Sequence, residues 1–369
     1  MQRRHDIDWL RNMGILLLFP FHTARIFDVW DPFYVKNDVE SWALSGFIAL
    51  TSYWFMPLLF WLAGSASWYA LQRRSDKPYI KERFSRLLIP LIAGTLLVVP
   101  PQGYFALKMH GGEPGNYLDF LLDYFPDFSD LSGYFGSFTP AHLWFILYLF
   151  AFSLIALPLF RWFAQHQDSA SVRNVTRLLS RSPLFIALIV PLTALQALPA
   201  PGGQNPFYYF FIYVTGFLVC MPTVADVLAK CRLPALLTLL ITVPVWLWMM
   251  FRFHGVADFS AIDILLTLLR TINVWLTLIV IAGYGSKLLN FRHPWLNYAN
   301  EAAFPIYILH QTVIVAIGYY VVQSDWNLFA KFMVILIGSF AVSCMLYDGL
   351  IRRIAVLRWL FGIKRGTQK

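Results

Sequence analysis

Long apolar runs recur along almost the whole chain, separated by short polar or basic segments. In a bilayer core every backbone amide must be satisfied within its own segment, and an apolar run of about 17 to 25 residues does this as a helix. Ten such runs stand at 10–29, 44–71, 87–106, 142–163, 183–198, 206–222, 233–251, 262–285, 302–323 and 329–350. The run at 183–198 is the shortest. Prolines at 20, 57, 158, 191, 244 and 305 fall inside these runs, where neighbouring helices can satisfy the freed carbonyls. With 58% hydrophobic and only 13% charged residues, a soluble globular fold is excluded. The expected fold is an all-α integral membrane protein of about ten transmembrane helices, organised as a single multi-pass domain over 1–369.

The net charge of +9 concerns orientation in the lipid bilayer rather than nucleic acid. With ten spans and an inside N-terminus, 23 of the 29 Lys and Arg residues fall in cytoplasmic segments, which places both termini in the cytoplasm. The exceptions are Arg25, Lys36, Lys108, Arg252, Arg270 and Lys331. Asp28, Asp31, Asp38, Glu40, Asp119, Asp123, Asp127 and Asp130 all fall in external segments. The chain enters its first span too early for a cleavable signal peptide. Cys220, Cys231 and Cys344 form no CxxC pair and read as buried thiols. The residues after Asp348 read as a helix end and a basic tail. External segment 107–141 is long, aromatic and acidic, and is expected to hold a short amphipathic helix. Cytoplasmic segment 72–86 is strongly basic. It suits contact with anionic lipid and equally a phosphate site, with Arg83 and Arg86 three residues apart.

The first span carries charge that a plain anchor would lack. Arg11 and His22 are eleven residues apart, which returns to nearly the same helix face about 16 Å further along. Asp8 and Arg25 fall close to that face, so a polar stripe runs from one surface past mid-depth. Ionisable groups at such depth mark functional sites by default. The other embedded polar residues are His142 at the external start of the fourth span, and Glu301 and His310 in the ninth. His142 also fits an interfacial position beside Trp144, and His310 a hydrogen-bonded structural role. Glu301 stands at the expected cytoplasmic edge, where it would cap the helix with Asn300. The three histidines come from separate helices with no i, i+4 pair, so no metal is expected.

These motifs resemble the membrane-bound acyltransferase-3 family. Its opening signature, D-x-L-R followed after ten residues by His, is similar to Asp8-Trp9-Leu10-Arg11 and His22. Its R-x-x-R before the third span is similar to Arg83-Phe84-Ser85-Arg86, followed by Leu87-Leu88-Ile89-Pro90. Its F-x-L-S-G-F resembles Phe60 to Ser65, with Ala63 and Ser65 where Ser and Phe are usual. His142-Leu143-Trp144-Phe145 and Tyr307-Ile308-Leu309-His310 complete the series in the expected order over nearly the whole chain. The HLWF element, the run from Asn205 to Val219 and the Leu346-Tyr347-Asp348 to Arg352 pattern resemble the glucan-modifying, succinyl-transferring branch most.

The resemblance implies an O-acyltransferase of the plasma (inner) membrane. It would take acetyl or succinyl from cytoplasmic acyl-CoA, a co-substrate rather than a bound cofactor, and place it on a hydroxyl of an extracytoplasmic glycan or glucan. Arg83 and Arg86 would hold the donor phosphates. His22 would act as general base or as a transient acyl carrier. Arg11 would orient the donor, and Arg25 would hold an acidic acyl group or an anionic acceptor, with His142, Glu301 and His310 in supporting positions. Ala63 removes any role for the hydroxyl usual there. No external hydrolase-like domain is fused to this sequence, so acceptor handling is expected within the bundle and its loops. Embedded Arg and His and broken helices also describe a transporter or flippase. Against that reading, no inverted repeat is evident and the charges concentrate in one span.

Overall fold

A computed structural model describes residues 4–253 and 255–363. Arg3 and the basic tail at 364–369 lie outside the described residues. Among the described residues the structure is helical, with no strand. In chain order the helices are α1 His5–Arg25, α2 Trp42–Leu71, α3 Asp76–Met109, α4 Tyr117–Tyr124, α5 Ala141–Ile155, α6 Leu157–Gln165, α7 Ala170–Leu179, α8 Ser182–Leu195, α9 Pro206–Leu218, α10 Asp226–Arg252, α11 Ala261–Leu288, α12 Trp295–Val322, α13 Leu328–Ile351 and α14 Ala355–Leu360.

A helix stands at each of the ten expected places, but not all are uninterrupted spans. Six (α2, α3, α10, α11, α12 and α13) are long and apolar enough to cross a membrane, and two bent pairs raise this to eight. One pair, α5–α6, bends by 49°. Pro158 opens the second segment, where its missing N–H costs nothing. The other pair, α7–α8, is bent by 83°, which accounts for the short run at 183–198. α1 carries Asp6, Asp8 and Arg11 in its first two turns, and α9 has only 13 residues; neither matches an ordinary apolar span.

The chain divides into two compact units. One comprises the segment up to Arg11, Thr51–Tyr79 and Phe152–Arg292. Within it α2 and α9 touch backbone to backbone: a Cβ on Gly64 would lie 2.0 Å from the Tyr213 carbonyl oxygen, and one on Gly216 2.1 Å from that of Trp61. The Ser65 hydroxyl donates to the Gly216 carbonyl at 2.8 Å across this contact. Small residues at helix crossings are the usual device for such approach in membranes. Trp61 packs edge-on against Trp275 of α11 at 5.4 Å, and the Trp275 indole donates to the Phe185 carbonyl at 3.1 Å.

The second unit comprises Asn12–Leu50, Ile80–Ala151 and the chain from His293. Its helices are locally irregular. π-turns occupy Phe84–Leu88 and Gly94–Val98 in α3 and Tyr347–Ile351 at the end of α13. Such turns re-aim side chains and release carbonyls. Gly94 lets three elements meet, since a Cβ there would fall 2.7 Å from Leu143 and 3.2 Å from Ile308. The helix expected in 107–141 is α4. Asn116 caps it through the amides of Leu118 and Asp119, its Phe120 and Tyr124 are buried, and its Leu118 and Leu122 face outward.

Two boundaries differ from expectation. α12 begins at Trp295, seven residues before the apolar run, because its first turns are amphipathic. Glu301 therefore lies inside the helix and does not cap it. Helix α3 begins at Asp76, eleven residues before the apolar run, and Arg83 and Arg86 are helical residues, as their reading on one helical face requires.

Candidate active site

Three elements of the second unit bring three histidines together. α1 carries His22, two residues after the in-helix Pro20. His142 follows Thr139-Pro140-Ala141, a turn in which Ala141 takes a left-handed φ of 47° and its amide donates to the Thr139 hydroxyl at 2.9 Å. A non-glycine residue in that region is strained, and such strain concentrates at functional sites. α12 carries His310, one turn after Pro305. The ring centres of His22 and His310 are 5.1 Å apart, and those of His310 and His142 4.9 Å.

Carbonyl partners fix the protons on two of these rings. His142 donates through Nε2 to the Ile308 carbonyl at 3.0 Å, so its Nδ1 is the acceptor and takes an N–H from Gln102 at 3.4 Å. His310 donates through Nδ1 to the Tyr307 carbonyl at 2.5 Å, so its Nε2 holds a lone pair. That Nε2 is buried and has no partner, and the same is true of His22 Nδ1. An unsatisfied buried polar atom costs about 1–3 kcal/mol. Two such atoms on neighbouring rings call for a functional explanation. His310 is fully buried, whereas His22 keeps partial exposure.

A glutamine relay runs beside His142. Gln311 donates to the Gln102 carbonyl at 2.9 Å, Gln102 donates to the Thr312 hydroxyl at 2.6 Å, and Thr312 donates to the Val98 carbonyl at 2.7 Å. Val98 closes the π-turn at Gly94–Val98, so that irregularity supplies the last acceptor. The Tyr307 hydroxyl donates to the His142 carbonyl. Phe33, from the loop after α1, lies nearly parallel to His22 at 6.1 Å and walls that side.

The loop is held by buried charge. Arg25 pairs with Asp28 and Asp31 at 2.9 Å each, donates to the Pro32 carbonyl at 3.0 Å and lies over the Phe33 ring. Lys36 also binds the fully buried Asp28 at 2.9 Å. Asp28→Asn removes the buried carboxylate that both cations share, leaving Arg25 with Asp31 and Lys36 with Glu40, and is expected to lower stability by about 3 kcal/mol. The melting temperature in detergent checks this, with Asp38→Asn in the same loop as the neutral comparison.

The remaining predicted residues lie elsewhere. Arg11 pairs with Asp8 at 3.0 Å with its side chain 36% exposed, about three turns below His22. Arg25 is engaged with its loop. Glu301 accepts from the Tyr347 hydroxyl at 2.9 Å beside Arg352, nine residues or about 14 Å of rise from His310. Arg86 donates to the Gly362 carbonyl at 3.2 Å and approaches Glu82 at 3.4 Å. Gln102 and Thr312 were not anticipated as site residues; a lone Gln inside an apolar span was the available signal for the first. Among the described residues no group of three or more His, Cys, Asp or Glu side chains is arranged to hold a metal ion.

The acyltransferase 3 profile, described as an acyltransferase domain, matches residues 4–348. The chain belongs to the acyltransferase 3 family. As an acyltransferase 3 protein with several apolar helices it is a multi-pass membrane acyltransferase. Proteins named glucans biosynthesis protein C from Salmonella heidelberg (strain SL476), Salmonella schwarzengrund (strain CVM19633) and Salmonella typhi are each 24% identical to it over 382 residues, covering 98% of this chain and 95% of theirs. This agrees with the branch that the sequence motifs resemble. No solved structure gives a significant match.

Proposed function

We propose that this acyltransferase moves acetyl or succinyl from cytoplasmic acyl-CoA to a hydroxyl of an extracytoplasmic glucan, across an inner membrane it crosses ten times with both termini inside. α1 and α9 are the two crossings beyond the eight that length and apolarity support. The observation that carries the reading is the meeting of His22 and His310, each with one buried ring nitrogen unsatisfied. A hydroxyl entering there meets a base, and the fold supplies no other partner for those atoms.

In the proposed reaction His22 takes the proton of the acceptor hydroxyl as its oxygen attacks the thioester carbonyl. The new C–O bond forms, the C–S bond breaks, and the proton passes to the departing CoA thiolate. Arg83 and Arg86 dock the donor phosphates with charge-assisted bonds. Sixteen residues of α3 separate Arg86 from Gln102, or about 24 Å of rise, a span suited to the long, narrow pantetheine arm. The glucan acceptor is suggested by the names of the relatives.

Thiol release from acetyl-CoA and succinyl-CoA by the protein in lipid nanodiscs, with and without a β-glucan, tests this. Glucan-stimulated release identifies the donor. Arg83→Ala combined with Arg86→Ala is expected to raise the donor KM by about tenfold or more at an unchanged acceptor KM. An unchanged donor KM removes the phosphate assignment. Absence of any acyl-CoA binding, with glucan uptake following an ion gradient, makes the protein a transporter instead.

A further inference from the structure

Helix α7 has more amphipathic surface than its contacts within the protein use. Ser169 caps it by accepting from the Val172 amide at 3.3 Å. Val172 and Thr176, one turn apart, are buried. At about 100° per residue, Val175 and Leu178 stand roughly 100° to one side of that buried line, and Arg173 and Arg177 roughly 100° to the other. All four are exposed. The helix therefore shows one docked line and two bare flanks of opposite character, apolar and cationic. Arg181 follows at the same spacing of four and is also exposed. Among the described residues none offers the guanidinium groups of Arg173, Arg177 and Arg181 a hydrogen bond or an ion pair. The corner after the helix sets its direction. Arg181 takes an extended backbone (φ −84°, ψ 118°), and α8 leaves at 83° to α7. α8 carries most of the apolar run at 183–198, with Leu184 and Val190 exposed. If that run enters the bilayer along its normal, α7 lies close to the plane of the membrane surface.

The geometry points to α7 as an interfacial helix that docks anionic phospholipid. With its buried line turned sideways to the protein, Val175 and Leu178 sink into the acyl-chain boundary. Arg173 and Arg177 then rise on the opposite flank, with Arg181 at the corner, to the level of the lipid phosphates. Long side chains reach that level while their stems cover apolar surface, and each planar guanidinium suits a forked contact to a phosphate. The occupant is anionic because the row has no carboxylate to balance it, and a zwitterionic headgroup brings no net charge to do so. The inference concerns a surface apart from the histidine site and stands whether or not the protein transfers acyl groups.

Quenching by brominated lipid tests this on the full chain in nanodiscs. Cys220, Cys231 and Cys344 are changed to serine, and a bimane fluorophore is attached at Leu178→Cys or, on the opposite flank, at Arg173→Cys. Phosphatidylglycerol or phosphatidylcholine carrying bromine in its acyl chains is added in turn at equal fractions. The label at position 178 is expected to be quenched about twofold or more beyond the label at 173. At 178 the association constant is expected to favour phosphatidylglycerol over phosphatidylcholine by about fivefold or more. Arg173→Gln, Arg177→Gln and Arg181→Gln together are expected to bring that preference below about twofold, with quenching by phosphatidylcholine kept, because the apolar flank still seats the helix. Equal quenching at 178 and 173 overturns the inference, since water or a second copy of the chain then covers the apolar flank. So does an equal response to both lipids in the unsubstituted row, or a preference that survives loss of the three arginines and so belongs to other basic residues. The nanodisc presents the same lipid on both faces, so the result does not depend on which side holds the termini.

Discussion

Replacing His22 with alanine is expected to lower acyl transfer by about 10²- to 10⁴-fold, with the donor KM within about twofold of wild type. On the proposed mechanism the imidazole acts only as the acceptor hydroxyl loses its proton, so its removal is felt in the transition state and not in docking. The donor contacts assigned to Arg83 and Arg86 lie more than fifteen residues away from Gln102 along α3, on a different part of the second unit. Neither has cause to change. Stability is also expected to hold, because His22 makes no hydrogen bond at its buried Nδ1 and its ring meets other rings, His310, Phe21 and Phe33, at 5.1–6.1 Å. A variant that binds acyl-CoA, melts like the wild type and does not transfer places His22 in the chemistry. A variant that transfers normally removes it.

Gly216→Ala, or Gly64→Ala, is expected to cost about 3 kcal/mol or more and to abolish recovery of folded protein. The new methyl would sit 2.1 Å from the Trp61 carbonyl oxygen in the first case and 2.0 Å from that of Tyr213 in the second. Both obstacles are backbone atoms, so no rotamer change relieves them, and α2 and α9 would have to separate. Separation also breaks the Ser65 to Gly216 hydrogen bond. Gly46, where an added methyl would meet nothing within 4 Å, serves as the comparison: Gly46→Ala is expected to be neutral or slightly stabilising. The yield of monodisperse protein in detergent and its melting temperature report on all three.

The elements were legible because lipid imposes one rule on backbone and hydropathy alike. Each apolar run yields a helix. What hydropathy misjudged was continuity: Pro158 bends one expected span, and the run at 183–198 is the end of a helix pair with a sharp corner. The histidines were legible one at a time, as costly residues in apolar surroundings. Their meeting was not, because it depends on packing between segments far apart in sequence, and on π-turns that no periodicity announces. Arg25 illustrates the same limit. Its depth in the first span suggested a ligand contact, while Asp28, three residues on, was its partner all along. The acidic residues of that loop were counted for membrane orientation, and counting says nothing about which of them folds back under the helix end.

The most direct test of the proposed transfer is the product itself. Protein in nanodiscs is incubated with isotope-labelled succinyl-CoA or acetyl-CoA and a β-glucan, and the glucan is analysed by mass spectrometry beside a reaction with His22→Ala. The mechanism predicts a labelled acyl ester on the glucan, formed with release of one CoA thiol per ester and absent with the variant. Thiol release with no ester on the glucan, or ester formed equally by His22→Ala, would contradict it.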